Sequence, residues 1–182
     1  SYKDNAFDLN KKLRAGEALE ETEQKQVQHL DSAIKKYAAE EDLMVFRGFG
    51  CETFDDYLEN LFITLKAYSS TTKSRKEACN FLRTAEDNEM PIFLKLKIPV
   101  GCKIALMEGN SSFNNEEKEI LLPRRTTIKI SSKKLIKNQN EILNLDGKID
   151  LIKDGLRDGR WSTFVKGRSE VLYISGEVLF MI

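Results

Sequence analysis

Two glutamates, Glu117 and Glu119, stand two residues apart in the stretch FNNEEKEILLPR, residues 113–124. In an extended chain side chains alternate between faces, so both carboxylates point one way and Glu116 and Lys118 the other. Two like charges on one face raise the pKa of one unless a cation or a hydroxyl compensates. A structural strand gains little from this, whereas sites that move protons or stabilise a developing cation use it. The plainer alternative is a charged strand start facing water.

Two further stretches have residue types suited to the same chemistry. Arg47, in VFRGF, is a guanidinium among apolar neighbours. It either points to water at a sheet edge or faces a cleft, where its planar fork matches a phosphate or carboxylate. Gly48 beside it permits close approach of a ligand or of another backbone. YSSTT, residues 68–72, places hydroxyls after an apolar run. They serve a turn or helix cap, or orient a second polar group such as a catalytic carboxylate.

Composition narrows the field. The chain has 182 residues with 29 Lys+Arg against 29 Asp+Glu, so charge gives no pull toward nucleic acid or an anionic membrane. A length of this order suits one domain that buries enough surface to need no disulfide or metal. No apolar run reaches the length of a membrane span, and SYKDNAFDLN does not read as a signal peptide. Cys51, Cys79 and Cys102 are widely separated and lack CxxC spacing, so they read as packed core thiols. His29, the only histidine, lacks a nucleophile-elbow partner and reads as a helix-surface residue. RGFGCE has no third glycine for a Rossmann turn, and no GxxxxGK[ST] occurs. SSKKLIK and Arg124-Arg125 form a small basic patch without interleaved aromatics, a solvated face.

The elements that must position the candidates follow from periodicity. Residues 5–40 read as helices, the first stopping at Gly16. The second has Val27, Leu30, Ile34 and Tyr37 on one face, with Thr22 as N-cap. LMVFRGF is a short strand and TFDDYLENLF a short helix, and RKEACNFLRTA is a further helix. PIFLKLKIPVG alternates as a strand through Phe93 or Leu94, Leu96 and Ile98; CKIALME, EEKEILLP and RTTIKI are also strands. SEVLYISGEVLFMI closes the chain as a strand split at Gly176. Helices precede strands, so the class is α+β with a mainly antiparallel sheet. One domain spans 1–182: helices over 1–42, a β core over 43–130 and 170–182, and an atypical polar insertion over 131–169 that includes Trp161.

In order and spacing, LNKKLRAG, LDSAIKKYAAEEDLMVFRGF, YSSTT, IFLKLKIPVGCKIALME, FNNEEKEILLPRRTTIKI and EVLYISGEVL resemble the mono-ADP-ribosyltransferases of the arginine–serine–glutamate type. Among these they look most like the catalytic domains of bacterial toxins and effectors, including the actin-modifying binary toxins. The resemblance implies N-terminal helices packed on a β-sandwich core with an NAD cleft. By position, it implies that Arg47 binds the NAD diphosphate with Gly48 beside it, and that Ser70 holds the catalytic glutamate. Thr72 keeps the hydroxyl where the family usually has a third serine. Glu119 matches the glutamate that bonds the nicotinamide-ribose 2′-hydroxyl, and Glu117 the upstream acid that meets the target. Phe113 matches an aromatic that contacts the protein substrate, while Phe81 and Arg83 resemble the aromatic and arginine that cover the nicotinamide and contact phosphate.

The resemblance therefore implies an NAD-dependent transferase that moves ADP-ribose to an arginine of a target protein, with NAD as substrate and no metal. The target is an actin or a small GTPase by analogy, and the chain is expected to act as a monomer without nucleic acid or a membrane segment. The setting implied is a secreted or injected toxin or effector in the target-cell cytosol, or alternatively a phage enzyme in the bacterial cytoplasm. The rival functions are an NAD glycohydrolase and a non-catalytic binding module of the same fold. The match weakens after residue 130.

Overall fold

The computed structural model describes residues 2–52, 54–82, 85–107, 119–137 and 170–179. The chain opens with two helices, α1 (Tyr2–Ala15) and α2 (Glu21–Lys35). Gly16 ends α1 in the left-handed region (φ 68°), the cap conformation that glycine adopts without strain. α2 starts two residues before the position expected from Thr22: Glu20 is its N-cap, and the Glu23 carboxylate accepts the Glu20 N–H at 2.8 Å. Thr22 falls inside the first turn, and the acidic pair outcompetes it because carboxylates favour the helix N-terminus. Glu23 also accepts from Lys12 Nζ at 2.8 Å, joining the two helices. Among the described residues, no helix is long and apolar enough to cross a membrane.

Among the described residues, eight strands form one sheet: β1 (Leu43–Cys51), β2 (Phe62–Leu65), β3 (Ser69–Thr72), β4 (Met90–Ile98), β5 (Ala105–Met107), β6 (Glu119–Leu122), β7 (Thr126–Ile136) and β8 (Val171–Val178). Their spatial order is β2-β7-β8-β4-β1-β3-β6-β5. Among these eight described strands only β4 and β8 pair in parallel; the other pairings are antiparallel, in line with the sequence expectation.

The sheet has a seam. β1 and β4 are registered along their whole length, from Leu43↔Ile98 to Cys51↔Met90, whereas β1 and β3 share the single pair Phe46↔Thr72. A five-strand part and a three-strand part therefore meet at one point, and their apolar faces close on each other. Ile120 and Leu122 of β6 lie in the same buried cluster as Val45, Ile92, Leu94, Leu96, Ile98, Ile128 and Ile174. That is the two-layer β core expected from the sequence, made from one sheet folded at its weakest junction. Full burial of each such aliphatic side chain stabilises by about 1.5–3 kcal/mol.

Alternation on β4 places Ile92, Leu94, Leu96 and Ile98 in this core, which settles the choice between Phe93 and Leu94 in favour of Leu94. Phe93 faces the other way, into a second cluster with Phe46, Ala78, Cys79, Leu82 and Val171. That cluster is formed by α4 (Arg75–Leu82) lying against β1. A third cluster joins Leu9 of α1 and Val27 and Ile34 of α2 to Tyr68 and Leu121, so the N-terminal helices cover the three-strand part. The short helix α3 (Asp55–Glu59) packs Tyr57 on Phe49 with ring centroids 5.7 Å apart, and burial pushes the Tyr57 hydroxyl up to about 12. Cys79 and Cys102 are buried and Cys51 is half-buried.

Two expectations on strands need correction. β8 is not split at Gly176, which pairs with Leu96 on one side and Ile130 on the other. A Cβ there would sit 2.8 Å from both Ile128 Cγ2 and the Lys129 carbonyl oxygen, so the glycine serves close packing and not a break. β7 continues to Ile136, with a bulge between Ile130 and Ser132. The first residues of the stretch 131–169 are thus strand; residues 138–169, with Trp161, lie outside the described residues.

Candidate active site

The site is assembled at the seam. On the three-strand part, Ser70 of β3 is registered with Leu121 of β6, and Glu119 lies two residues before Leu121. Side chains two apart share a face, so Ser70 and Glu119 are diagonal neighbours on the side where Leu121 packs beneath the helices. Ser70 Oγ donates to Glu119 Oε1 at 2.5 Å. Bonds of this charge-assisted kind are short and about twice as strong as neutral ones.

On the other side of the seam, Arg47 follows Phe46, the one β1 residue registered with β3. Its guanidinium lies 5.1 Å from the centroid of the Phe49 ring, and Arg47 Nη1 donates to the Ser70 carbonyl oxygen at 2.9 Å. Arg47 thus braces the backbone of the serine whose hydroxyl holds Glu119. The two neighbouring threonines hold backbone: Thr71 Oγ1 donates to the Ile120 carbonyl at 2.8 Å, and Thr72 Oγ1 accepts the Ser74 N–H at 3.0 Å. Ser74 Oγ in turn accepts the Glu77 N–H at 3.2 Å, at the start of α4.

These groups line a cavity of about 320 Å³ bounded by Phe46, Arg47, Gly48, Ser70, Thr71, Thr72, Glu77, Phe81 and Glu119. It brings together six of the residues singled out in the sequence: Arg47, Gly48, Ser70, Thr72, Phe81 and Glu119. Phe81 is 56% exposed, a ring presented to the cavity from α4. Gly48 borders the cavity, but its lack of a side chain is demanded by α4: a Cβ would fall 2.0 Å from the Ala78 carbonyl oxygen. Of the two close approaches left open by the sequence, ligand or backbone, the backbone one is present. Arg83, Phe113 and Glu117 lie outside the described residues.

Sequence reasoning missed Glu77 and Phe46. Glu77 stands four residues before Phe81 on α4, hence on the same helix face, and that spacing was the available signal. Phe46 is held between Arg75, whose guanidinium lies 5.1 Å from its centroid, and Phe93, 5.9 Å away. A second cavity of about 340 Å³ lies at the far end of β6, lined by Asp31, Ile34, Lys35, Cys102, Arg124 and others, and has none of the Arg47–Ser70–Glu119 set. The smaller cavity at the seam is therefore the candidate site.

The fold is that of the bacterial toxin ADP-ribosyltransferases. The structure resembles Plx2a, an ADP-ribosyltransferase toxin from Paenibacillus larvae, with TM-score 0.64 and 22% identity over 98% of this chain and 82% of that one. It also resembles C3stau2 from S. aureus with NAD, with TM-score 0.62 and 22% identity over 99% and 84%. Residues 1–153 match the model of the ADP-ribosyltransferase exoenzyme family, and the chain belongs to that family. In sequence it is 34% identical over 99 residues to the NAD(+)--arginine ADP-ribosyltransferase EFV of Enterococcus faecalis, a stretch that is 54% of this chain. The chain spans about a fifth of that relative's length, 20% of it.

Proposed function

We propose that this chain cleaves NAD at the bond between nicotinamide and ribose and transfers the ADP-ribose to an arginine of a target protein. The observation that carries the reading is the Ser70–Glu119 hydrogen bond at the cavity wall, with Arg47 bonded to the backbone of the same serine. Arg47 is the group suited to neutralise the dinucleotide's diphosphate. The exposed ring of Phe81 is suited to cover the nicotinamide. As the C–N glycosidic bond breaks, its electron pair leaves with nicotinamide and positive charge spreads over the ribose, as in glycoside hydrolysis. A Glu119 carboxylate fixed by Ser70 is already oriented toward that charge and needs no reorganisation. An arginine nitrogen of the acceptor then bonds to the ribose carbon and loses a proton, and Glu117 is the residue proposed to orient the guanidinium and accept it.

The arginine acceptor is supported by the glutamate at position 117 and by the name of the Enterococcus faecalis relative. Actin or a small GTPase is the target class proposed by family analogy. The toxin relatives support an exported enzyme acting in a target-cell cytosol. Incubation with labelled NAD and a target-cell lysate, followed by mass spectrometry, tests the reading. Label on a protein arginine supports it. Free ADP-ribose without labelled protein makes the chain an NAD glycohydrolase, and the absence of both nicotinamide release and NAD binding leaves a binding module.

A further inference from the structure

The two strands that bring Ser70 to Glu119 are fastened at one carboxylate outside the cavity. Tyr68, two residues before Ser70, donates its hydroxyl to Asp31 Oδ1 at 2.5 Å. Arg124, five residues after Glu119, meets the same carboxylate with Nε at 3.0 Å and Nη2 at 2.7 Å from Oδ2. Tyr68 is 1% exposed and its hydroxyl also lies 3.2 Å from the Val27 carbonyl oxygen on α2. Asp31, on α2, thus holds Tyr68, the residue just before β3, and Arg124, two residues past the end of β6.

The need for such a fastening follows from the topology. β3 and β6 are registered over four pairs, Ser69↔Leu122 to Thr72↔Glu119, and β3 is joined to the five-strand part by one. A short, weakly joined ladder can slip, and in a strand a slip of one residue turns every side chain to the opposite face. Ser70 and Glu119 would then lose each other. We propose that Asp31 is a positioning residue for the transferase reaction, holding β3 and β6 in the register that presents Ser70 Oγ to Glu119. The inference rests on the reading of Ser70 and Glu119 given above. It assigns to the N-terminal helices a part in the chemistry: they carry the carboxylate that sets the geometry of the candidate site. The fork of Arg124 makes the contact directional: Nη2 donates to Oδ2 at 2.7 Å while Nε is shared between Oδ2 at 3.0 Å and Oδ1 at 3.2 Å, so both carboxylate oxygens are held.

The test is a double-mutant cycle on nicotinamide release from NAD in the full chain, with Asp31→Asn, Ser70→Ala and the double variant. A residue that acts through the Ser70–Glu119 bond has nothing left to act on once the hydroxyl is gone. Coupling of the size seen between contacting groups predicts that Asp31→Asn lowers kcat about tenfold in the wild-type background and about twofold or less in Ser70→Ala. The same factor in both backgrounds overturns the proposal. Amide hydrogen exchange supplies an arm independent of activity: protection at Ser70–Thr72 and Glu119–Leu122 falls in Asp31→Asn while that of β4 and β8 is kept. Unchanged protection at β3 and β6 also overturns it. Where Asp31→Asn does not fold, Tyr68→Phe, which deletes a single hydroxyl, takes its place in both measurements. A wild-type chain that releases no nicotinamide counts against the proposed function, and the exchange arm then decides the strand-holding role by itself.

Discussion

Ser70 and Glu119 are diagonal neighbours across the β3–β6 ladder, with a hydrogen bond of 2.5 Å from hydroxyl to carboxylate. A directly opposite pair would have served less well, because the residue opposite Ser70 is Leu121, buried against the helices. The diagonal offset leaves Glu119 at the strand start, on the cavity wall, while the rest of β6 is core.

Glu119→Gln keeps the shape of the side chain and removes its charge. NAD binding by calorimetry is expected to stay within a few-fold of wild type while nicotinamide release falls by about a hundredfold or more, the usual consequence of losing one electrostatic stabiliser. Ser70→Ala, which removes one hydrogen bond to the carboxylate but leaves its charge, is expected to cost less, about ten- to a hundredfold, the worth of a hydrogen bond to a charged group. Near-normal turnover in Glu119→Gln would remove the basis for the assignment.

Glu117→Gln separates the two halves of the reaction. If Glu117 meets the acceptor, transfer to protein drops by about a hundredfold or more, in the range of general-base contributions, while hydrolysis of NAD to free nicotinamide drops less. Equal losses in both assays assign Glu117 to glycosidic cleavage instead.

Arg47→Lys retains a positive charge and removes the fork. The variant is expected to raise KM for NAD about tenfold, because a point charge cannot make paired bonds to a diphosphate while also donating to the Ser70 carbonyl. Initial rates over a range of NAD concentrations give the answer, and an unchanged KM counts against diphosphate contact.

Local spacing made most of the helices and strands legible. The face of Val27, Leu30 and Ile34 on α2 and the Ile92–Ile98 alternation on β4 pack as their periods imply, whereas Tyr37, expected on the same face, lies past the end of α2 and is exposed. Arg47, Ser70 and Glu119 were legible as types in recognisable surroundings, and the structure brings all three to one cavity. What stayed hidden depends on distance along the chain. The single Phe46↔Thr72 junction and the Asp31–Arg124 pair, 93 residues apart, leave no local pattern. Gly176 misled because a glycine that ends a strand and one that lets two neighbours close in look the same in sequence.

Gly48 and α4 make a prediction about stability alone. In Gly48→Ala the new methyl would have to occupy space 2.0 Å from the Ala78 carbonyl oxygen and 2.8 Å from the Leu82 nitrogen, both backbone atoms. Neither can move aside as a side chain would, so α4 must lift from β1. Overpacking of this kind costs about 1–3 kcal/mol, which for a chain of this size lowers Tm by several degrees. Since α4 carries Glu77 and Phe81 into the cavity, NAD affinity is expected to fall with it. A thermal melt within a degree of wild type would show that α4 sits less tightly on β1 than described.

The acid limb of the stability curve reports on Asp31. Burial pushes its carboxyl up, but the bonds from Arg124 and Tyr68 and the nearby charge of Lys35 outweigh this, leaving it below the ordinary carboxylate range. A group whose folded pKa is depressed contributes stability above its unfolded value of about 3.9, and that contribution is lost as pH falls through the folded value. The bond to Asp31 pushes the Arg124 guanidinium up, and burial holds the Tyr68 hydroxyl far above this window, so of these three groups the Asp31 carboxylate is the one that titrates in it. Asp31→Asn lacks this contribution at every pH. Urea midpoints measured from pH 7 to about pH 3 are therefore expected to show the wild type well above the variant near neutrality. The gap should narrow once the pH drops below about 4. A gap of constant size across the series would mean that Asp31 stabilises by shape and not by its charge.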